Sequence, residues 1–96
     1  LQVKGKIFID DGAEKAVKSG KSILPAGILK TEGSYNKGDL IYIVNSENKI
    51  IGKGLSHYNN NEVNLIKKMR SDKIEKVLGY RGKDEIIHID DFVLEN

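Results

Sequence analysis

The sequence predicts a mainly β fold with short α-helices, arranged as a pseudobarrel of five to six mixed strands. Two observations lead there. Within 96 residues the apolar period switches repeatedly between the strand and helix repeats, and no segment is long enough to bury a face on its own. Ten glycines and several polar clusters punctuate those segments, so the pieces must close on one another around one core. A chain of this length holds a single domain, residues 1–96.

Lys4 to Asp10 alternates around Ile7 and Ile9, with Val3 and Phe8 adding β propensity, and reads as a strand. Asp11 and Glu14 then make a capping-box pattern with Asp11 as the cap. Ala13, Ala16 and Val17 recur at helical spacing, and Gly20 ends a short helix that carries Lys15 and Lys18 off its apolar face. Leu24-Pro25-Ala26-Gly27 cannot continue a helix, because proline restricts the residue before it and has no amide donor. A turn and a strand from Gly27 to Glu32 follow. Leu40 to Val44 and Lys49 to Leu55 form a hairpin through Asn45-Ser46-Glu47-Asn48, and Gly52 and Gly54 predict a bulge or a close backbone approach.

Asn59 and Glu62 repeat the capping pattern ahead of a Val63, Ile66, Met69 stripe. Ser71 starts another short helix, with Ile74, Val77 and Leu78 as its buried face and Gly79 as its stop. Asp84 to Ile89 returns to strand, and Phe92-Val93-Leu94 forms the last edge. Phe8 and Phe92 are expected to help close the barrel, and Tyr35, Tyr42, Tyr58 and Tyr80 to sit in the core or at its rim. Gly27 and Gly38 fall at turns expected to need positive φ.

Composition narrows the function classes. No apolar run approaches the ~20 residues that span a bilayer, so no membrane partner is expected. Zero cysteines excludes a disulfide framework and a thiolate metal site, and fits a cytoplasmic location. Leu1 in place of an initiator methionine, with no signal-peptide pattern after it, marks the chain as an expected piece of a longer protein. The net charge of +2 is small, but residues Leu1 to Lys30 hold six lysines against Asp10, Asp11 and Glu14, which places any electropositive patch on the first third.

The motifs that could carry chemistry are incomplete. Gly20-Lys21-Ser22 resembles the tail of a phosphate loop, yet position 15 is Lys15 where that loop needs glycine, and a helix leads in where a strand should. Gly52-Lys53-Gly54 lacks the spacing of a dinucleotide fingerprint. His88, Asp90 and Asp91 alternate faces at a strand end and cannot converge on a metal, so a hydrogen-bonded His88 with Asp90 or Asp91 closing a turn is expected instead. Asp10 and Asp11 are adjacent and point apart, which excludes a paired acid and base. No catalytic residue, metal ligand or cofactor-binding residue is assigned to this chain.

Ser22-Ile23-Leu24-Pro25-Ala26-Gly27-Ile28 and Lys37-Gly38-Asp39-Leu40-Ile41 together resemble the signature of a PUA domain, a small β-rich module appended to RNA-modifying enzymes and to glutamate 5-kinases. Gly52-Lys53-Gly54-Leu55-Ser56, the Ile74 to Gly82 stretch and Ile87-His88-Ile89-Asp90-Asp91 are similar to the C-terminal PUA domain of the bacterial glutamate 5-kinase family in particular. The resemblance implies a PUA-like pseudobarrel and an accessory role. It implies that an upstream amino-acid-kinase domain phosphorylates the glutamate side-chain carboxylate with ATP and Mg²⁺, at the first step of proline synthesis. It implies as partners that kinase domain or a neighbouring subunit, and RNA as a further possibility; an RNA-modifying enzyme such as a pseudouridine synthase is the alternative parent.

The family's RNA-binding members use the first helix, the loop after it and the next strand, and Lys15, Lys18, Lys21 and Lys30 fall on the matching elements here. Lysines give phosphate contact without base readout, so binding there is expected to be sequence-tolerant and salt-sensitive. With no aromatic among them, no base stacking is expected at that surface.

Overall fold

The computed structural model describes residues 2–95 as one five-stranded mixed sheet wrapped around an isoleucine-rich core. The strands are β1 (Val3–Ile9), β2 (Ile28–Gly33), β3 (Leu40–Val44), β4 (Ile50–Leu55) and β5 (Phe92–Leu94), in the spatial order β2-β1-β3-β4-β5. β1 pairs antiparallel with β2 and parallel with β3, and the β3–β4 and β4–β5 pairs are antiparallel. Three helices, α1 (Asp11–Lys18), α2 (Asn60–Ile66) and α3 (Ile74–Leu78), fill the connections, with 3₁₀ turns over Pro25–Gly27, Ser71–Lys73 and Ile89–Asp91.

The period-two pattern of β1 buries Ile7 and Ile9 completely and leaves Lys4 and Lys6 outside. Ile41 and Ile43 on β3 point the same way, and Ile23, Ile28, Ile66, Ile86 and Ile87 meet them. Burial of each such side chain contributes about 2–3 kcal/mol. The barrel is not closed by strand pairing. Its two edge strands are drawn together instead by a single antiparallel bridge between Ile23 and Ile87, just ahead of β2 and β5. The result is a pseudobarrel of five mixed strands.

Gly52 and Gly54 mark a close approach. A Cβ on Gly52 would strike the Phe92 ring and the Val93 carbonyl, and one on Gly54 would meet the Ile87 methyl at 2.7 Å, so only glycine lets β5 and its aromatic lie across β4. The expected bulge is present in the same pair, between Ile43 and Val44. The capping box at Asn59 and Glu62 is complete, with Asn59 Oδ1 accepting from the Glu62 backbone amide at 2.8 Å and Glu62 Oε1 accepting from the Asn59 backbone amide at 3.0 Å. Gly79 ends α3 in the left-handed region at φ 82°.

Several sequence expectations are corrected. Asp84 to Ile89 is not a strand: Ile86 and Ile87 are both fully buried, their amides converge on the one Ile23 carbonyl, and the backbone then turns into 3₁₀ geometry. Val77 is exposed, because α3 is five residues long and turns only Ile74 and Leu78 toward the core. Met69 lies beyond the end of α2 at Ile66. Phe8 is absent from the core and lies on the outer face of β1, whereas Phe92 packs against the core as expected. Tyr35 and Tyr58 are core residues, and Tyr80 is exposed.

Gly38 has the expected positive φ of 90°, with open space around it. Gly27 does not share that conformation; a Cβ there would lie 2.5 Å from the Ala13 Cβ, so it is the packing of α1 that demands glycine. Gly38→Ala is therefore expected to cost about 1 kcal/mol through backbone strain. Gly27→Ala is expected to cost about 1–3 kcal/mol through overpacking. Urea denaturation checks both: an Ala13→Gly background should recover part of the Gly27→Ala loss and none of the Gly38→Ala loss, and equal behaviour of the two variants would contradict the distinction.

Candidate functional site

α1 is capped by Asp10, one residue earlier than the sequence suggests. The Asp10 amide donates to the Gly27 carbonyl at 2.9 Å, which holds Asp10 extended, and its carboxylate then accepts from the Ala13 amide at 2.8 Å. Asp11 is left as the first helical residue and accepts from the Ser46 hydroxyl at 2.5 Å. Glu14 closes no capping box. It accepts from Lys18 Nζ at 2.7 Å and from Asn45 Nδ2 at 3.2 Å, and the Lys18 hydrogen bond, with Asn45 second, holds its carboxyl below the usual 4.5. Asn45, buried in the β3–β4 turn, also accepts from the Glu47 and Lys49 amides, so α1 is fastened to that turn through a satisfied polar group.

The four sequence-selected lysines surround α1 without sharing one hollow. Lys15 and Lys18 border a shallow depression with Asp11 and Glu14; Lys21 borders an apolar one of about 280 Å³ beside Ala13, Leu24 and Gly27; Lys30 borders a third, beside Phe8 and Asn48. Lys18 pairs with Glu14, and Lys30 lies 3.4 Å from Glu32. The expectation that no aromatic accompanies these lysines is corrected, since Lys30 Nζ sits 4.5 Å above the centroid of the Phe8 ring. That contact joins cross-strand partners in the β1–β2 register, which the sequence does not display.

The outer face of the sheet is a second candidate surface. Strand alternation and register put Glu32, Lys6, Tyr42, Lys53 and Val93 in one row across all five strands. Leu40 with Leu55, and Phe8 with Val44 and Ile50, flank that row. Leu40, Tyr42, Ile50 and Leu55 are half-buried and Val93 is 62% exposed, so an apolar field with lysines set into it remains uncovered.

At the opposite side, the loop after α3 is anchored by Tyr58, whose hydroxyl donates to the Lys83 carbonyl at 2.5 Å and whose ring leaves room only for glycine at position 82. Burial is the main cause that raises the Tyr58 hydroxyl above its ordinary value. Tyr80 donates to Glu62; its partial desolvation and that carboxylate push its hydroxyl up to about 12. His57 faces the Glu85 carbonyl at 3.1 Å through Nδ1 and Asp91 at 3.5 Å through Nε2. His88 serves the 3₁₀ turn: its Nδ1 accepts from the Asp90 amide at 3.0 Å while the Asp91 amide donates to its carbonyl at 2.8 Å.

This strand order with its connecting helices defines a class of small mixed-sheet pseudobarrel, and a PUA domain family model matches residues 5–78: the chain belongs to the PUA domain family. It is 48% identical over 94 residues to glutamate 5-kinase of a Thermoanaerobacter species, a match that covers 97% of this chain and 25% of that protein. Glutamate 5-kinase of Agrobacterium fabrum is 44% identical over 94 residues, again with 98% of this chain and 24% of the relative covered. The chain thus spans about a quarter of the length of the curated relatives it matches. The fold is shared with a PUA domain of Aeropyrum pernix (TM-score 0.64, 16% identity, 88% of this chain and 41% of that one) and with a chain of an archaeal box H/ACA ribonucleoprotein complex (TM-score 0.61, 24% identity, 97% and 24%).

The Glu14 contacts predict a pH effect of definite sign. A carboxyl whose folded pKa is depressed gives stability that is complete above its unfolded value and is lost as pH falls through the folded one, here below 4.5. The unfolding free energy of wild type, read from urea denaturation, should exceed that of Glu14→Gln by roughly a few tenths of a kcal/mol near neutral pH, and the two should converge by about pH 3. A gap that widens on acidification would contradict the assignment.

Proposed function

We propose that this chain is the accessory, non-catalytic domain of a glutamate 5-kinase, which uses ATP and Mg²⁺ to phosphorylate the glutamate side-chain carboxylate, and that it docks on the kinase domain through the outer face of its sheet. The observation that carries the docking is the uncovered row centred on Tyr42, with Leu40 and Leu55 beside it and Lys6 and Lys53 on either side. A five-stranded sheet with one face on its own core and an apolar second face favours a partner on that second face. About three quarters of each relative's length lies outside the matched segment, which supplies a covalently attached partner at high effective concentration. The identities of 44–48% to glutamate 5-kinases favour that parent over an RNA-modifying enzyme. No helix of the described residues is long and apolar enough to cross a membrane.

In the full-length kinase, Tyr42→Glu and Leu55→Glu are expected to release the domain, making the interdomain segment sensitive to limited proteolysis while glutamate-dependent ATP consumption persists. The isolated 96-residue chain should give a dispersed amide spectrum and consume no ATP with glutamate present. Unchanged proteolysis in both variants would overturn the docking face, and ATP consumption by the isolated chain would overturn the accessory reading.

A further inference from the structure

The outer face of the sheet is apolar, with cations set on either side of its central aromatic. Tyr42 has Lys6 of β1 and Lys53 of β4 as its two cross-strand partners, and Leu40 and Leu55 lie one pleat further along their strands. Lys4 is exposed on the same side of β1, and Lys30 follows on β2, opposite Phe8. Against these four lysines the strands set one carboxylate on that face. It is Glu32, the cross-strand partner of Lys6, and it lies 3.4 Å from Lys30.

The polar groups at the centre of the row have no partner of their own. Among the described residues, Lys6 and Lys53 enter no ion pair, whereas Lys18, Lys30 and Arg70 each do. Lys53 is half-buried, with Tyr42 and Val93 as its cross-strand neighbours and no carboxylate between them. A lysine so placed lays its methylene stem on apolar neighbours and holds its ammonium outward. Tyr42 is in the same position: the hydroxyls of Tyr35, Tyr58 and Tyr80 are each hydrogen-bonded within the chain, and among the described residues that of Tyr42 is not. Three side-chain donors therefore stand in one row across β1, β3 and β4, with apolar side chains on both flanks.

We infer that the kinase-domain surface covering this face carries carboxylates opposite Lys6 and Lys53, one of them also accepting from the Tyr42 hydroxyl. The inference rests on the docking reading above and adds the chemistry of the partner. An uncharged apolar cover would strip water from two ammonium groups and a hydroxyl and give them nothing in return. Facing carboxylates satisfy all three donors and fix the register of the two surfaces, while Tyr42 supplies the aromatic anchor at the centre. A second copy of the same face does not fit. Pairing two copies about an axis through Tyr42 sets lysine against lysine, whether the axis runs along the row or across it. About three quarters of each relative's length lies outside the matched segment, and that part supplies a surface of different composition.

The test is made in the full-length protein. A water-soluble carbodiimide joins an amine to a carboxylate only where the two touch. It is expected to link Lys6 or Lys53 to aspartate or glutamate residues outside the 96-residue segment, identified by mass spectrometry of the joined peptides. Tyr42→Glu should abolish those links. Lys53→Met keeps the apolar stem and removes the charge, so it should raise the rate of limited proteolysis between this segment and the rest of the protein about tenfold, by leaving a carboxylate without its partner. Lys53→Arg should retain the protection of wild type. Thermal unfolding of each variant, followed by circular dichroism, controls for folding. Links from Lys6 and Lys53 that reach only carboxylates of the 96-residue segment, in the same copy or a second one, would overturn the inference. So would a Lys53→Met variant cleaved at the wild-type rate or more slowly, the sign expected of an uncharged partner. Release by Tyr42→Glu and Leu55→Glu would in that case still uphold the docking face, whereas silence of those two variants as well would remove the docking face and the inference together.

Discussion

One backbone contact decides whether these strands make a barrel or an open sheet. Ile23 and Ile87 exchange hydrogen bonds, the Ile23 amide donating to the Ile87 carbonyl at 3.0 Å while the Ile23 carbonyl accepts from the Ile86 amide at 2.8 Å. The clasp joins segments more than sixty residues apart and draws both edges of the sheet inward. Its neighbours reinforce it: the Ile89 amide donates to the Ser22 hydroxyl, and the His57 amide to the Ile86 carbonyl. Without it, the completely buried Ile23, Ile86 and Ile87 side chains would meet water, and the β2 and β5 edges would lie open to pairing with other chains.

The clasp also explains what the sequence concealed. Strands β3 and β4, the Asn59 capping box and the Gly79 stop are local devices, each complete within a few residues, and all were legible. The Asp84 to Ile89 stretch was misread because consecutive buried isoleucines resemble a strand, while the partner that bends them, Ile23, lies at the far end of the chain. Val77 sits at helical spacing from Ile74, but periodicity does not reveal that nothing covers the second residue of the pair. At Gly27 the glycine was legible and its reason was not, since the clash with Ala13 exists only once α1 folds back.

The candidate surfaces divide in the same way. Lys15, Lys18, Lys21 and Lys30 were found because they are close in sequence; two of them are occupied, Lys18 by Glu14 one helical turn away, and Lys30 by Glu32 two residues along β2 and by the cross-strand Phe8 ring. Lys37, Arg81 and Lys83 border one hollow although some forty residues separate the first from the other two, and a meeting of that kind is not legible locally. The one available signal was the Gly79-Tyr80-Arg81-Gly82 run, which was legible as a family resemblance and carried no visible chemistry. Its placement depends on Tyr58, a core residue, holding the loop beside Lys37.

The position of β1 has a kinetic consequence. The first strand of the chain lies inside the sheet, with β2 on one side and the parallel β3 on the other, so it cannot satisfy both rows of backbone groups until residues through Val44 are available. The last strand and the clasp arrive later still. Such long-range closure sets a high contact order, slow collapse to the native state and an interval in which the isoleucine face of β1 is uncovered. A nascent chain emerging from the ribosome can pair β1 with β2 once Gly33 is available, but the other edge of β1 stays open to foreign strands until Val44 has followed.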